Sequence, residues 1–298
     1  NSTMDGLTSL GNNIYQLNSN LSMRGKIAAR YIANILELDS IAVLAPADKF
    51  GHAQTDAFVK EVDKLGKKIV GVEWYSGIPT DLKRQFKNIR KTAFNLVKKD
   101  NNYDDYLGMA LDSLDFLFEI SDDDLFDIPD DEDEKLTASD SSKIELNTIQ
   151  AIYLPAHPEH LAYIGTQFPM YYFDTQIVGN DNWKNLDILN QSNIGPHMQG
   201  LIIISNNYSM EIQDQIYDQA FDCTQLIYSI VNDKDNRRLT LATRLSNLSD
   251  FNGKSHNVRF FDSNLNTSLQ VLRYGNNTIT RSGYFMGDSL LSLEGVAP

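Results

Sequence analysis

The sequence predicts an α/β fold built on a parallel sheet, and three observations lead to this prediction. Residues 24–90 alternate between helix-like and strand-like segments in the order of βαβ units. The apolar segment 41–45 ends in the polar turn 46–51, and a second helix-like pattern follows that turn. Residues 201–204 form the continuous apolar run expected of a strand covered on both faces. Because ligands of such sheets bind at the carboxyl ends of the strands, the pattern favours small-molecule binding.

The composition indicates a sizeable core and a negative surface. Of the 298 residues, 42% are hydrophobic, and no apolar run approaches the roughly 18 residues of a membrane-spanning helix. The net charge of −14 argues against nucleic acid or an anionic membrane as a general partner, since both require a positive surface. We therefore predict no nucleic-acid partner and no membrane insertion of this chain. Cys223 is the single cysteine, which excludes an internal disulfide.

The first ninety residues contain an irregular opening followed by the βαβ series. Residues 1–20 contain no strand and no signal peptide, so the chain is expected to be a fragment that begins within its fold. Asp48 and Asp81 precede helices, and we predict that both cap them. The predicted elements are a helix at 24–38, a strand at 41–45, a helix at 53–66, a strand at 67–75 and a helix at 82–90.

An acidic insertion interrupts this series at residues 91–147. Ten of the sixteen residues from Glu119 to Glu134 are Asp or Glu, and such a segment repels itself and buries little apolar area. Residues 91–120 look helical, and we predict a solvated loop at residues 121–142. A calcium site is a second interpretation, but the segment lacks the glycine and the spaced oxygen ligands of an EF-hand loop.

The second half of the chain continues with shorter elements. The predicted elements are strands within 149–154, 171–178 and 201–204, and helices at 161–168, 212–231 and 238–248. The helix at 212–231 carries an apolar stripe of Ile212, Ile216, Ala220, Cys223, Ile227 and Ile230. Segments 257–262 and 268–274, with a turn at Gly275-Asn276, are expected to form an antiparallel pair. The last twelve residues are expected to be a tail.

With these segments in order, the chain resembles the type I periplasmic binding proteins, the leucine-binding-protein-like family of amino-acid receptors. The matching segments are 45–90, 151–168, 177–183, the helix around Ala220-Phe221-Asp222, and 250–264. Several departures stand out. The opening βα units of the family's first lobe are absent, Ser255-His256 replaces the second glycine of the late motif, and Phe221-Asp222 stands where Tyr-Asp is usual.

The resemblance implies a three-layer parallel-sheet lobe plus an incomplete second lobe. The expected domains are 1–22, the end of the N-terminal lobe and a crossover; 23–205, the C-terminal α/β lobe with the insertion 91–147; 206–262, a return segment to the N-terminal lobe; and 263–298, a terminal strand pair and tail.

The resemblance also implies a function. We expect a non-catalytic, periplasmic or cell-envelope solute-binding protein that binds an amino-acid-like ligand between its lobes without a cofactor. The alternative is an interaction module similar to the penicillin-binding-protein activators, with a degenerate cleft and an envelope protein as partner. Segments 155–169 and 178–183 resemble that branch at least as well as they resemble the transporter proteins.

The expected ligand-binding residues follow from the turns at the carboxyl ends of the strands and from the resemblance. They are Ser2, Thr3, Phe50, Tyr75, Ala156, His157, Asn180 and Asp181. The resemblance makes Phe50 an apolar wall, Asp181 the partner of a ligand ammonium, and Ser2 and Thr3 carboxylate contacts. The alternative for Asn180, Asp181 or Asn182 is to cap the helix that begins near Trp183.

Catalytic and metal-binding interpretations find little support in the sequence. His157 and His160 lie three residues apart and could share a metal with Asp181, but the pattern is not the H-E-x-x-H of metalloproteases. Residues 287–290, Gly-Asp-Ser-Leu, match the tetrapeptide of the GDSL hydrolases, yet no histidine follows Ser289. No phosphate-binding loop or nucleophile elbow is present. We therefore predict no metal and no enzymatic activity.

Overall fold

An eight-stranded mixed sheet forms the centre of the fold. The computed structural model describes residues 2–99, 146–210, 212–231, 237–248, 250–260, 263–287 and 289–293. The predictions for the acidic segment 119–134 lie outside these residues. The strands are β1 Ser40–Pro46, β2 Lys68–Tyr75, β3 Ala151–Leu154, β4 Gln176–Asn180, β5 Ile202–Ser205, β6 Phe251–Asn252, β7 Asn257–Val258, β8 Ser268–Gly275, β9 Thr278–Met286 and β10 Ser289–Ser292.

The strand order is β10-β9-β8-β5-β4-β3-β1-β2, and β6 pairs with β7 separately. Strands β1 to β5 run parallel to one another. Strand β8 pairs antiparallel with β5, and β9 and β10 continue the sheet in antiparallel pairs. The parallel core predicted from the sequence is therefore confirmed, and all five of its strands end at one edge.

The chain forms seven α-helices among the described residues, and those of its first part cover both faces of the sheet. They are α1 Leu21–Arg30, α2 Lys49–Lys64, α3 Lys83–Lys99, α4 Leu161–Gln167, α5 Leu186–Leu189, α6 Ile212–Val231 and α7 Arg238–Ser246, and a π-helical turn, Tyr31–Ile35, extends α1. In β1, Ala42 and Leu44 belong to one core and Ile41, Val43 and Ala45 to the other. This alternation is that of a strand buried on both sides, and it produces the predicted three layers.

The polar turn after β1 is built as the sequence predicts. The Asp48 carboxylate caps α2 and accepts a hydrogen bond from the Gly51 N–H at 2.8 Å. A Cβ at Gly51 would lie 1.9 Å from the Pro46 carbonyl oxygen, so only glycine fits this close approach. Asp81 accepts a hydrogen bond from the Lys83 N–H at 2.8 Å, just before α3. The polar turn after β1 thus fixes where its side chains leave the edge of the sheet.

Several predicted elements differ from those observed. Helix α3 continues past residue 91 to Lys99, within the expected insertion. The predicted pairing of 257–262 with 268–274 is wrong, because β8 pairs with β9 across a two-residue turn. That turn consists of Asn276 and Asn277, both at positive φ, as hairpins require. The expected tail contains β10, whose residues pair with β9.

A smaller unit lies beside the sheet and contains residues 2–20, α6, α7 and the β6–β7 pair. Its apolar cluster centres on Leu226, Val258 and Phe260. The chain crosses between the sheet and this unit near Ser19, Asn206 and Asn266. The Ser19 N–H donates to Asn206 Oδ1 at 3.0 Å, and its hydroxyl donates to the Asn266 carbonyl at 2.7 Å. A second, smaller unit therefore accompanies the sheet, and hydrogen bonds hold together the three crossovers that join it.

Helix α6 does not bury the apolar stripe that the sequence suggests. Ile216 and Ile227 are 60% and 57% exposed, whereas Asp218, Asp222 and Leu226 form the buried side. The reason is that two carboxylates on α6 find partners in the smaller unit, and this fixes the rotation of the helix.

Candidate functional site

The carboxyl edge of the parallel strands carries most of the polar side chains predicted from the sequence. They fall into two neighbouring groups. The histidine cluster, which follows β1, β2 and β3, consists of Asp48, Phe50, Tyr75, His157 and His160. The charged cluster, which follows β4 and β5 and includes one residue of α1, consists of Arg24, Asp181, Lys184, Ser205 and Asn207.

The histidine cluster is held together by ring packing and hydrogen bonds. Phe50 stacks on His157 with ring centroids 4.3 Å apart. His157 Nε2 lies 2.7 Å from Asp48 Oδ2, and the Tyr75 hydroxyl lies 3.1 Å from His160 Nδ1. The predicted residues Phe50 and His157 thus form one partly exposed wall, whereas Tyr75 is buried behind it.

Burial and neighbouring groups set the protonation of this cluster. Burial and the nearby His157 lower the pKa of His160, so its ring is neutral near pH 7. Burial raises the pKa of Tyr75, so its hydroxyl, which is paired with His160 Nδ1, keeps its proton. Burial raises the pKa of Asp48, but the Gly51 N–H and His157 lower it by more. The net pKa is below its ordinary value, so the carboxylate is ionised.

A shared metal at His157, His160 and Asp181 has no geometric basis. His157 and His160 contact Asp48 and Tyr75 respectively, and Asp181 contacts Lys184. Within the part of the chain that the structure describes, no group of three or more His, Cys, Asp or Glu side chains could hold a metal ion.

The charged cluster surrounds the carboxylate of Asp181. Asp181 Oδ1 lies 3.5 Å from Lys184 Nζ and accepts a hydrogen bond from the Ser205 hydroxyl, while Oδ2 lies 3.8 Å from Arg24 Nη1. Lys184 Nζ also donates to Asn207 Oδ1 at 2.7 Å and to Ser205 Oγ at 3.3 Å. The Lys184 side chain is 2% exposed and that of Asp181 is 20% exposed. The carboxylate is therefore the more accessible member of this pair.

The two cations keep Asp181 ionised. Burial raises the pKa of Asp181, but Lys184, Arg24 and the Ser205 hydroxyl together lower it below the ordinary range. Burial lowers the pKa of Lys184, and Asp181 opposes that effect. The acceptors around Nζ require the protonated ammonium, so the cluster holds fixed charges near neutral pH.

Two predicted ligand contacts, Ala156 and Asn180, are buried and hold the turn together. Asn180 and Asn182 donate side-chain hydrogen bonds to the Ala156 carbonyl at 3.0 and 2.7 Å. The Asn180 side chain makes no capping bond, and Asn185 instead caps α5 by accepting from the Ile188 N–H. The alternative capping role therefore does not hold for Asn180, whose side chain instead fixes the turn just before Asp181.

Ser2 and Thr3 lie at the amino end of α1. The Thr3 carbonyl accepts a hydrogen bond from the Leu21 N–H at 3.1 Å, and the Ser2 carbonyl accepts one from Gln16 Nε2 at 3.1 Å. Leu21 begins the helical turn that also carries Arg24. The structure thus places these residues beside the charged cluster, and their contact with a ligand remains a prediction.

Sequence reasoning missed Arg24, Lys184 and Asn207. Lys184 is three residues after Asp181, a spacing that could have indicated an ion pair. Arg24 gave no such indication, because its partner is more than 150 residues away in the sequence.

Comparison with known proteins identifies the class of fold. No family model matches the sequence, and neither does any curated protein. Solved structures do match, and they show that the chain has the fold of the type I periplasmic binding proteins, as the resemblance implied.

Three of these structures illustrate the likeness. One, from Rhodospirillum rubrum, is assigned to the branched-chain amino acid ABC transporters and is 12% identical, with a TM-score of 0.62 over 94% of this chain and 70% of that one. The substrate-binding protein LivJ of Streptococcus pneumoniae, in complex with isoleucine, is 13% identical, with a TM-score of 0.54 over 98% and 71%. A Thermus thermophilus branched-chain amino acid transporter protein with bound valine is 11% identical, with a TM-score of 0.56 over 98% and 71%. At these identities the likeness establishes the fold.

Among the residues that the structure describes, no helix combines the length and apolar character needed to cross a bilayer.

Proposed function

We propose that the protein is a non-catalytic solute-binding protein that takes a small, amino-acid-like ligand at the carboxyl edge of its parallel sheet. The observation that carries this proposal is the charged cluster, in which Asp181, fixed by Lys184 and Arg24, faces the edge of the sheet beside the three crossovers. Isoleucine and valine are the ligands named for two structures of the same fold.

The two clusters suit different parts of such a ligand. Phe50 and His157 offer an apolar wall, and Asp181 offers a carboxylate to an ammonium. A zwitterion that leaves water needs charge-matched hydrogen bonds, because unpaired burial of charge costs several kcal/mol. Movement about the crossovers at Ser19, Asn206 and Asn266 would close the smaller unit over the ligand, which favours the closed state by binding it more tightly.

A periplasmic or cell-envelope location and the absence of catalysis belong to the same proposal, and both rest on the likeness in fold. The alternative, an interaction module with an envelope protein partner, receives no support from these comparisons.

A thermal-shift screen of the protein against the twenty amino acids and small amides tests the proposal. A ligand at 100 times its dissociation constant is expected to stabilise the protein by about 2.7 kcal/mol. The Asp181→Asn variant should lose the response to the best ligand, while Asp187→Asn, on the exposed side of α5, should retain it. A flat screen with the wild-type protein would contradict the proposal.

A further inference from the structure

Arg24 is a buried cation with almost none of its hydrogen-bonding capacity used. The residue is 6% exposed. Its one charged contact is with Asp181, at 3.8 Å, which is too long for a hydrogen bond. Its Nε–H is buried and has no acceptor among the described residues. A guanidinium carries five N–H donors, and leaving the buried Nε–H unmet is costly.

No neighbouring carboxylate supplies the hydrogen-bond acceptors that the Arg24 guanidinium lacks. Asp181 is shared with Lys184 and accepts the Ser205 hydroxyl as well. Asp48, which follows β1, contacts His157. Glu61 of α2, the helix packed against α1, is bound by Arg30 at 2.8 Å and by Lys64 at 3.2 Å. The charged cluster therefore contains two cations and one carboxylate, so it carries an excess of positive charge.

The packing of α1 holds Arg24 in this place. Asn20 caps the helix by accepting from the Met23 N–H at 2.8 Å. A Cβ at Gly25 would lie 2.1 Å from the Gln54 carbonyl oxygen, so the backbones of α1 and α2 are in close contact. A side chain on such a fixed backbone is pre-organised, which reduces the entropy lost on binding.

Accordingly, we propose that Arg24 is the anion-binding residue of the site and that it selects ligands that carry a carboxylate. This inference rests on the proposed solute-binding function and specifies the ligand class. The carboxylate accepts hydrogen bonds from the unused guanidinium N–H groups, and the adjacent Asp181 takes a cationic group of the same ligand. Arg24 then provides the principal carboxylate contact, with Ser2 and Thr3 at most secondary to it, because charge-assisted hydrogen bonds are roughly twice as strong as neutral ones.

Calorimetric titration tests this selectivity. The probes are leucine, leucinamide, which lacks the carboxylate, and 4-methylpentanoate, which lacks the ammonium. Wild-type protein is expected to bind leucine at least about tenfold more tightly than leucinamide. Arg24→Gln should weaken leucine binding by at least about tenfold and remove the preference over leucinamide. Arg24→Lys should give an intermediate affinity, and the exposed Arg84→Gln should match the wild type.

A second measurement separates ligand recognition from a structural role of Arg24. Because the cation lacks an internal partner of its own, Arg24→Met is expected to keep or raise the Tm. A marked fall in Tm would show that Arg24 serves the fold, and it would overturn the inference. An unchanged preference for leucine over leucinamide in Arg24→Gln would also overturn it. If no compound of the amino-acid screen and none of these three probes binds the wild-type protein, the proposed function fails, and this inference fails with it.

Discussion

At the scale of single residues, Asp222 shows how one buried carboxylate can organise a loop. It lies on α6 at 0% exposure and accepts hydrogen bonds from the backbone N–H groups of Lys254, Ser255 and His256. His256 Nδ1 lies 3.1 Å from the same carboxylate. A Cβ at Gly253 would lie 2.5 Å from the Asp222 carboxyl carbon, which explains the glycine in the loop.

The stability contributed by Asp222 should depend on pH. Burial raises the pKa of Asp222, but His256 and the backbone N–H groups lower it below its ordinary value of 3.8. The folded state therefore favours the ionised form, and this contribution is full above 3.8 and is lost as pH falls through the lower folded value. We expect Asp222→Asn to cost about 1–3 kcal/mol of unfolding free energy at pH 7.

Urea unfolding from pH 7 down to pH 3 measures this dependence. The difference between wild type and Asp222→Asn should stay constant above about pH 5 and shrink towards pH 3. Asp56→Asn is the control, because the Asp56 side chain is 73% exposed and its loss should change stability by less than about 0.5 kcal/mol. A difference that grows on acidification would contradict this assignment.

Residue roles set by neighbours in sequence could be predicted, whereas those set by distant contacts could not. Asp48 was predicted to cap α2 because the cap and the helix are adjacent in the chain. Asp181 was predicted from its position after a strand. Arg24 meets Asp181 only because α1 and β4 pack at the same edge, and Lys184 is buried only because Asn207 and Ser205 surround it. No local pattern encodes such pairings.

At the scale of elements, the packing of α1 on α2 positions the charged cluster. Their backbones approach most closely at Gly25 and Gln54, and Arg30 joins Glu61 across the same interface at 2.8 Å. Ile27 and Ala28 of α1 share the core beneath the sheet with Phe58 of α2. A displacement of α1 would therefore move Arg24 and disturb the core together.

Gly25→Ala tests this interface. The new Cβ would meet the Gln54 carbonyl oxygen at 2.1 Å and the Phe58 nitrogen at 3.2 Å, and backbone atoms cannot give way as a flexible side chain does. We expect a loss of about 1–3 kcal/mol of unfolding free energy, despite the higher helix propensity of alanine. Gly71→Ala is the matched control, since its Cβ would meet nothing closer than Thr92 Oγ1 at 3.9 Å. Equal effects of the two substitutions would show that the helices are not in tight contact.

Elements with strong local patterns were predicted, and those defined by pairing were not. Strands β1 and β5 are apolar runs buried on both faces, so their sequences alone identify them. Strand β9 alternates between exposed and part-buried residues at its start and contains Gly283, which weakens the pattern. Strand β10 has four residues and exists because β9 offers it a free edge. The predicted turn, Gly275-Asn276, lies one residue before the observed turn Asn276-Asn277, and the strand after it was missed.

At the scale of the whole molecule, the two parts of the chain are unequally stabilised. The sheet lies between two large apolar cores, whereas the smaller unit centres on Leu226, Val258 and Phe260. The crossovers that join the parts are held largely by polar contacts. Asn266 Oδ1 accepts hydrogen bonds from the Arg259 and Ser268 N–H groups, at 3.0 and 2.9 Å. These hydrogen bonds satisfy backbone groups of the crossovers independently of the sheet.

Native-state hydrogen exchange should therefore show two levels of protection. Amides of β1, β3, β4 and β5 are expected to exchange only through global unfolding, since these strands are covered on both faces. Amides in the middle of α6 should exchange at lower denaturant concentrations, because α6 exposes Ile216, Tyr217 and Tyr228 by 60–64% and gains little stability from burying them. Leucine at saturation should slow exchange in α6 if the smaller unit closes over the ligand and leave the strands unchanged. Uniform protection of both parts would mean that the chain unfolds as one cooperative unit, which would contradict the unequal stabilisation of the two parts.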